Sequence, residues 1–510
     1  RTGCFLAETA TPAHEHTTTR HKDRGRRHRG RHDLSARVQA DRTEMALLLF
    51  DRREGIVRDV QNPYAGLLGA YERLHGSFDR SMSKPHDTVQ VAQKDLGGSG
   101  FVHGGQSCHP WVVPRFEPFR AHRFALASPD DIAPLVSPPY DVFDSAERDR
   151  LASIDPRNIV HVDYPVERDG DGRYEKSASV LREWVRTGAV VVDDSRAFSL
   201  YRMDFTDDTG RERHTVGVIG ALEVVDEGAP GVLPHERTTP KAKTDRLDLT
   251  RATRANLSPV WGLSLTSGLS GLLTEPAELV ARAVDADGVV HTLEKVTDPA
   301  RIDAISAAVS SNPVLIADGH HRYAISRTYR DEQRGAAVTD GPAELTMTYV
   351  QELVSDQLSI AAIHRLFTSV TPEQVLTRLA AHYDASPAGR VSSSTLREME
   401  SLGCLCLVSS NGEGMHLTPR DDMFSGVRAL DSARLEQALG DMIADVSYQH
   451  GVNDVIERLS SGDASCAILI RPVSLSEIRR TADTGELMPP KSTFFTPKLL
   501  TGMVWRPLDA

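Results

Sequence analysis

Several features are scarce in this 510-residue sequence, and each scarcity removes a class of protein. No stretch approaches the roughly 18 to 20 consecutive apolar residues that a membrane-spanning helix needs. The best apolar run near the start, Ala46 to Phe50, stops at Asp51 and is too short for a signal-peptide core. Export is therefore not expected, and the chain reads as cytoplasmic with no membrane partner. Cysteine occurs five times, at 4, 108, 404, 406 and 466, without a CxxC pair. An odd count without that spacing argues against a disulfide framework and against a zinc ribbon. Cys404 and Cys406 instead alternate within CLCLV, the pattern of one face of a buried strand. There is no GxGxxG after a strand, no P-loop, no HExxH and no GxSxG. Rossmann dehydrogenases, P-loop kinases, zincins and α/β-hydrolases are set aside on those grounds.

What is present is uneven. The net charge is −12, yet residues 1–112 carry 17 Lys+Arg against 13 Asp+Glu, so the remainder holds −16. A body that acidic is a poor binder of nucleic acid, whose phosphates need neutralising, and it points to a small-molecule site. The first 112 residues run through TTTRHKDRGRRHRGRHD, which has no apolar periodicity with which to build a core. One short helix is expected near Pro63–Leu74, and Gly97 to Gly105 reads as linker. This portion is expected to be disordered, or an extension upstream of an initiation site at Val113. Residues 113–510 form the expected catalytic region, divisible at about 113–340 and 341–510.

From Val113 the texture becomes regular. Tyr174–Thr187 has helical periodicity closed by Gly188. AVVVDD, AFSLYRMDF and HTVGVIGALEVV read as strands, the last two joined as a hairpin through DDTG. The second half of LPHERTTPKAKTDRLDLTRATRANLSP is expected to be helical, SPVWGLSL a strand, and Pro299–Ser310, Pro372–His382 and Ala433–Ile443 helices. The pattern is α+β, with mixed, largely antiparallel sheets rather than a βαβ array.

The sharpest local signal is PVLIADGHHRY, Pro313 to Tyr323: a short strand, a tight turn at Asp318-Gly319, and a helix starting at the histidines. Gly319 permits close backbone approach, and the free amides of a helix's first turn attract anions. Gly319, His321 and Arg322 are thus phosphate-site candidates, His320 a catalytic one, and Asp318 could hold Mg²⁺ or orient a hydroxyl. A plain N-cap with partly buried histidines accounts for the same residues equally well.

A second cluster is His235-Glu236-Arg237-Thr238 with Lys241, Lys243, Asp245 and Arg246, in a loop bounded by proline. Glu236 is a candidate general base, and His235, Arg237 and Arg246 are candidate substrate ligands. A solvated loop with ordinary ion pairs is the simpler alternative. In a third, MPPKSTFFTPKLLTG from Met488, Lys491 and Ser492 beside a double proline suit an anion clamp, or else the segment is a buried strand between turns. The fourth is SPPYDVF, where Asp141 either points into a site or caps a helix.

Together with PRFEPFRA, ANLSPV and IHRLF, these segments resemble the family called domain of unknown function 1015, over 113–510. The DGHHR element is also similar to that of free-serine kinases of the ParB/sulfiredoxin-like superfamily. That resemblance implies a ParB/sulfiredoxin-like core around the DGHHR turn. It also implies phosphoryl transfer between a nucleotide, ADP or ATP, and a small hydroxy amino acid, serine or phosphoserine foremost, with Mg²⁺. In that scheme Asp318 holds the metal, Glu236 accepts the hydroxyl proton, and Gly319–Arg322 with Lys491 take the phosphates. A nucleotide-binding ParB-like regulator and a phosphoserine phosphatase that works without nucleotide remain open alternatives.

Overall fold

The structure, a computed structural model, describes residues 113–166, 172–207, 210–236, 243–336 and 340–509. The expectations for 1–112, including the helix near Pro63–Leu74, lie outside the described residues, as does Arg237.

Two sheets organise the chain. The first is built from β1 (Phe116–Glu117), β2 (Phe198–Thr206), β3 (Glu212–Glu223), β4 (Val232–Pro234), β5 (Val260–Ser264), β6 (Glu278–Val284), β7 (Val290–Val296), β8 (Val314–Asp318) and β9 (Leu345–Glu352). Its order is β4-β8-β5-β9-β3-β2-β7-β6, with β1 paired to the end of β3. Only β8 with β4 and β9 with β5 run parallel; the other pairs are antiparallel. The β2–β3 hairpin forms around DDTG as expected, in register from Ser199 opposite Ile219 to Thr206 opposite Glu212.

The strands of this sheet alternate between two apolar clusters because side chains point to opposite faces in turn. Tyr201, Met203, Leu315 and Ala317 join one cluster, while Phe198, Leu200, Val314 and Ile316 join the other. Helix α1 (Arg173–Thr187) covers the first face with Trp184, and α3 (Pro299–Val309) covers the second with Ile305 and Val309; between them in sequence lies α2 (Lys243–Thr253). Gly188 ends α1 with a left-handed φ of 76°, the expected helix stop. Each large side chain withdrawn from water in this way contributes about 1.5–3 kcal/mol before chain entropy is counted.

The second sheet is wholly antiparallel, from β10 (Ile363–Phe367), β11 (Tyr383–Arg390), β12 (Leu405–Ser409), β13 (Glu413–Pro419), β14 (Val446–His450) and β15 (Cys466–Leu469), in the order β11-β13-β12-β15-β10-β14. Cys404 and Cys406 are free, buried, and on the same side of this sheet, as their alternation predicted. The architecture is therefore α+β with largely antiparallel sheets.

After the second sheet the chain returns to the first. Met488, Phe495, Leu499, Leu500, Met503, Val504 and Trp505 enter the core cluster of the first layer. Backbone bridges tie Met488 to Glu236, Thr501 to Ser137 and Trp505 to His122. The segment contains no long strand: two-residue strands at Phe494–Phe495 and Arg506–Pro507 pair with Ile360–Ala361 and Ala255–Asn256. Among the described residues no helix is long and apolar enough to cross a membrane.

Candidate functional site

The site grows from the end of β8. Four apolar or small residues, Val314 to Ala317, bury the strand, and the chain turns at Gly319, whose φ of 82° favours a residue without a Cβ. Helix α4 (His320–Gly335) starts at once, directly after Asp318-Gly319, and its first-turn amides have no acceptor inside the helix. Asp318 is held from both sides: Oδ1 accepts from Lys498 Nζ at 3.1 Å and Oδ2 from Arg322 Nη2 at 2.5 Å. Arg322 also donates to the Pro259 carbonyl. Burial by itself would raise the Asp318 carboxyl, but Lys498 and Arg322 outweigh it and hold it below the ordinary carboxylate value. It is an anion throughout the neutral range.

Strand β4 runs parallel to β8 and delivers the next two residues, His235 and Glu236, to the same end of the sheet. His235 is fully buried. Its Nδ1 donates to the Ile316 carbonyl at 2.6 Å, which leaves Nε2 to accept from the Thr493 hydroxyl at 2.7 Å. Burial lowers its pKa to about 4, so it is a neutral, fixed tautomer. The ring of His320 lies 4.8 Å from that of His235, and burial followed by that neighbour pushes its pKa down to about 3. His320 Nε2 is buried with no hydrogen-bond partner.

Glu236 behaves oppositely. Its side chain is 19% exposed, and burial raises the carboxyl from 4.5 to about 7 against the pull of the Ser492 amide and Lys491. Two neighbouring carboxylates thus differ widely in protonation, one ionised and one poised to exchange a proton near neutrality, the separation that acid–base catalysis requires.

The returning C-terminal segment closes the site. The Met488 amide donates to the His235 carbonyl at 3.0 Å, and the Ser492 amide reaches Glu236 Oε2 at 3.4 Å. Lys491, between them, is exposed and adopts φ 60°, a left-handed conformation that costs a residue with a Cβ on the order of 1 kcal/mol. Phe495 packs edge-on to His235 at 5.8 Å, and Lys498 Nζ sits 4.4 Å from the centre of the Phe494 ring. An open cleft of about 860 Å³ runs outward from Lys498 and Phe494 past His450 to Asp204 and Asp285, large enough for a nucleotide-sized ligand.

With that geometry in view, residues 116–433 match the family described as Protein of unknown function (DUF1015). The chain belongs to the DUF1015 family. No curated protein matches it. Similar solved structures include a conserved hypothetical protein from Pyrococcus furiosus, 12% identical over 52% of this chain and 87% of that one, with a TM-score of 0.30. A free serine kinase in complex with AMP is 14% identical over 52% and 83%, with a TM-score of 0.31. SbnI with a C-terminal truncation, from Staphylococcus aureus, is 14% identical over 57% and 87%, with a TM-score of 0.32.

In this DUF1015 chain the site gathers most of the residues expected from sequence: His235, Glu236, Asp318, Gly319, His320, Arg322, Lys491 and Ser492. Their engagement differs. The Ser492 hydroxyl is buried, donating to the Pro489 carbonyl at 2.8 Å and bonded to the Ser432 hydroxyl at 3.0 Å, so its amide rather than its oxygen faces Glu236. His321 is half-buried on the same turn and engaged by neighbours. Arg246, on α2, lies over the Tyr140 ring and pairs with the buried Asp163 at 3.2 Å. It shares with Arg322 a cavity of about 50 Å³, room for a few waters at most. Asp141 is exposed on the neighbouring turn. Lys498 is the residue sequence reading passed over. The two lysines of MPPKSTFFTPKLLTG were its only signal, and the tertiary pairing with Asp318 is what singles out the second.

A Mg²⁺ ion is implied by the family resemblance. The described residues contain no cluster of three or more His, Cys, Asp or Glu able to cage a metal. Mg²⁺ in phosphoryl-transfer sites is commonly held by one or two carboxylates with phosphate and water completing the shell; Asp318, with Lys498 on Oδ1 and Arg322 on Oδ2, would take that role by giving up one of these cations to the metal.

Proposed function

We propose that this chain transfers a phosphoryl group between a nucleotide and a small hydroxy amino acid, with serine or phosphoserine as first candidates. The observation that carries the reading is the pairing of a carboxyl poised near pH 7, Glu236, with an ionised Asp318 at an anion-receptive helix start flanked by Arg322 and Lys498. The choice of serine follows the likeness of the DGHHR element to free-serine kinases.

The first-turn amides after Gly319, with Arg322, bind phosphate oxygens, and Lys498 and Lys491 neutralise the charge that builds on the transferring group. Asp318 would hold Mg²⁺, whose part is to draw together and screen the phosphate oxygens. The acceptor hydroxyl forms the new O–P bond while the bond from phosphorus to the nucleotide oxygen breaks. Glu236 takes the hydroxyl proton, and its near-neutral pKa suits it to return that proton in the reverse direction. His235, held at both nitrogens, fixes the backbone that carries Glu236. Positioning and charge neutralisation are what such transfer chiefly demands.

The test is phosphate exchange by the purified chain with Mg²⁺, serine or phosphoserine, and ADP or ATP. Nucleotide-dependent interconversion is expected, and Asp318→Asn should lower turnover about 10²-fold or more with an unchanged circular dichroism spectrum. Phosphoserine hydrolysis without nucleotide would replace the proposal with a phosphatase. Absence of turnover in every format would refute transfer to serine.

A further inference from the structure

The IHRLF segment contributes a residue that the mechanism above does not use. Arg365, on β10, is 1% exposed, and its guanidinium has lost its water without gaining a full set of partners. Nη1 folds back to the carbonyl of Ile363 on the same strand, while Nη2 is buried with no hydrogen-bond partner. Burial pulls the pKa of this arginine down, and Tyr448, Glu436, Asp431 and Glu236 pull it back. A buried cation with a bare donor is costly unless an anion completes it.

Its surroundings tie it to the site. Ile363, which holds Nη1, is opposite His450 in the sheet, and His450 stacks on Phe494 at 4.3 Å, the ring that also carries Lys498. Just before β10, Ile360 and Ala361 pair with Phe495 and Phe494. Helix α6 (Asp431–Leu439), reached from α4 past α5 (Pro372–Leu379), supplies Asp431 and Glu436 near the guanidinium and Ser432, which touches Ser492 beside Glu236. The Tyr448 ring, its centre 5.1 Å from the guanidinium carbon, lies against this group, and Tyr448 is 39% exposed, so the guanidinium sits one aromatic residue from solvent on that side.

We propose that Arg365 is the carboxylate receptor of this site, binding the acid group of the phosphoryl acceptor through Nη2 while the acceptor's hydroxyl faces Glu236. The inference rests on the phosphoryl-transfer reading and narrows its substrate class to hydroxy acids, against amino alcohols and simple alcohols. An arginine suits the task because its planar fork stays charged on burial and presents Nη2 to an anion while Nη1 holds the Ile363 carbonyl.

Equilibrium binding of L-serine, ethanolamine and inorganic phosphate to the full chain, by calorimetry, tests it. Wild type should bind L-serine, and Arg365→Met should weaken that binding at least about tenfold, the loss expected for one hydrogen bond between charged groups. Ethanolamine, which lacks the carboxylate, should bind the two proteins equally. Should Arg365→Met fail to fold, Arg365→Lys, which keeps the charge but not the fork, should show the same selective loss. No L-serine binding by wild type, equal binding by the variant, or an Arg365-dependent affinity for phosphate alone would overturn the assignment. The two proposals fail separately. Arg365-dependent serine binding without phosphoryl transfer keeps this one and sinks the reaction, while transfer with an unchanged serine KM in Arg365→Met does the reverse.

Discussion

Glu236→Gln should make the protein more stable at neutral pH while removing its activity, and the structure fixes how that gain depends on pH. Burial moves the Glu236 carboxyl from an ordinary 4.5 to about 7 in the fold. At about 1.4 kcal/mol per tenfold change, that displacement corresponds to a cost on the order of 3 kcal/mol once the group is ionised. The sign follows from which state ionises first. Below pH 4.5 both states carry the protonated carboxyl and the fold bears no penalty. As pH rises from 4.5 to 7 the unfolded chain ionises first and the native state loses stability; above 7 the loss is complete. Glutamine is neutral at every pH and nearly the same shape, so the variant's stability relative to wild type should be flat below pH 4.5, climb through the window, and level off above 7. Urea unfolding followed by tryptophan fluorescence reports it directly, because Trp184, Trp261 and Trp505 are all buried in the core cluster of the first layer. A stability difference that stays constant from pH 4 to 8 would refute both the buried-carboxyl description and the base assignment built on it.

Three further outcomes are expected. Lys498→Met removes one of the two cations that depress Asp318, so the stability advantage of wild type, full above pH 3.8, should shrink as pH falls below that value; an advantage independent of pH would contradict the ion pair. Gly319→Ala places a Cβ at φ 82° and 2.9 Å from Arg322 Nε, and should cost about 1–2 kcal/mol in urea unfolding while weakening phosphate binding, whereas a neutral substitution would mean the turn does not need glycine. Burial raises all three described thiols, Cys406 to about 12 and Cys466 to about 11, so peptide mapping after alkylation of the native protein at pH 8 should find Cys404, Cys406 and Cys466 unmodified, and rapid labelling would count against their burial.

Much of the local structure was legible because it depends on neighbours in sequence. The period-3.6 pattern of 174–187 with its closing glycine, the DDTG hairpin and the strand–glycine–helix unit at Asp318 each specify themselves within about twenty residues. The site was legible only as separate clusters. Nothing in spacing says that β4 lies parallel to β8, yet that pairing alone brings Glu236 beside Asp318. The C-terminal segment resisted reading for a different reason. MPPKSTFFTPKLLTG has too many prolines for a regular strand, and its conformation is set by the core it enters rather than by its own propensities.

Sequence by itself determined the strand–glycine–helix turn at Asp318-Gly319 and the α+β alternation, since these follow from covalent preference and periodicity. Tertiary structure decided the protonation states and the partners. Glu236 and Asp318 are both carboxylates, and burial that the Ser492 amide and Lys491 do not offset raises one while two cations lower the other. Lys498 became part of the site, and Arg365 became a buried cation with an open donor, because a segment distant in sequence was folded against them. Desolvation and charge pairing are long-range in sequence and short-range in space, so only the packed fold assigns them.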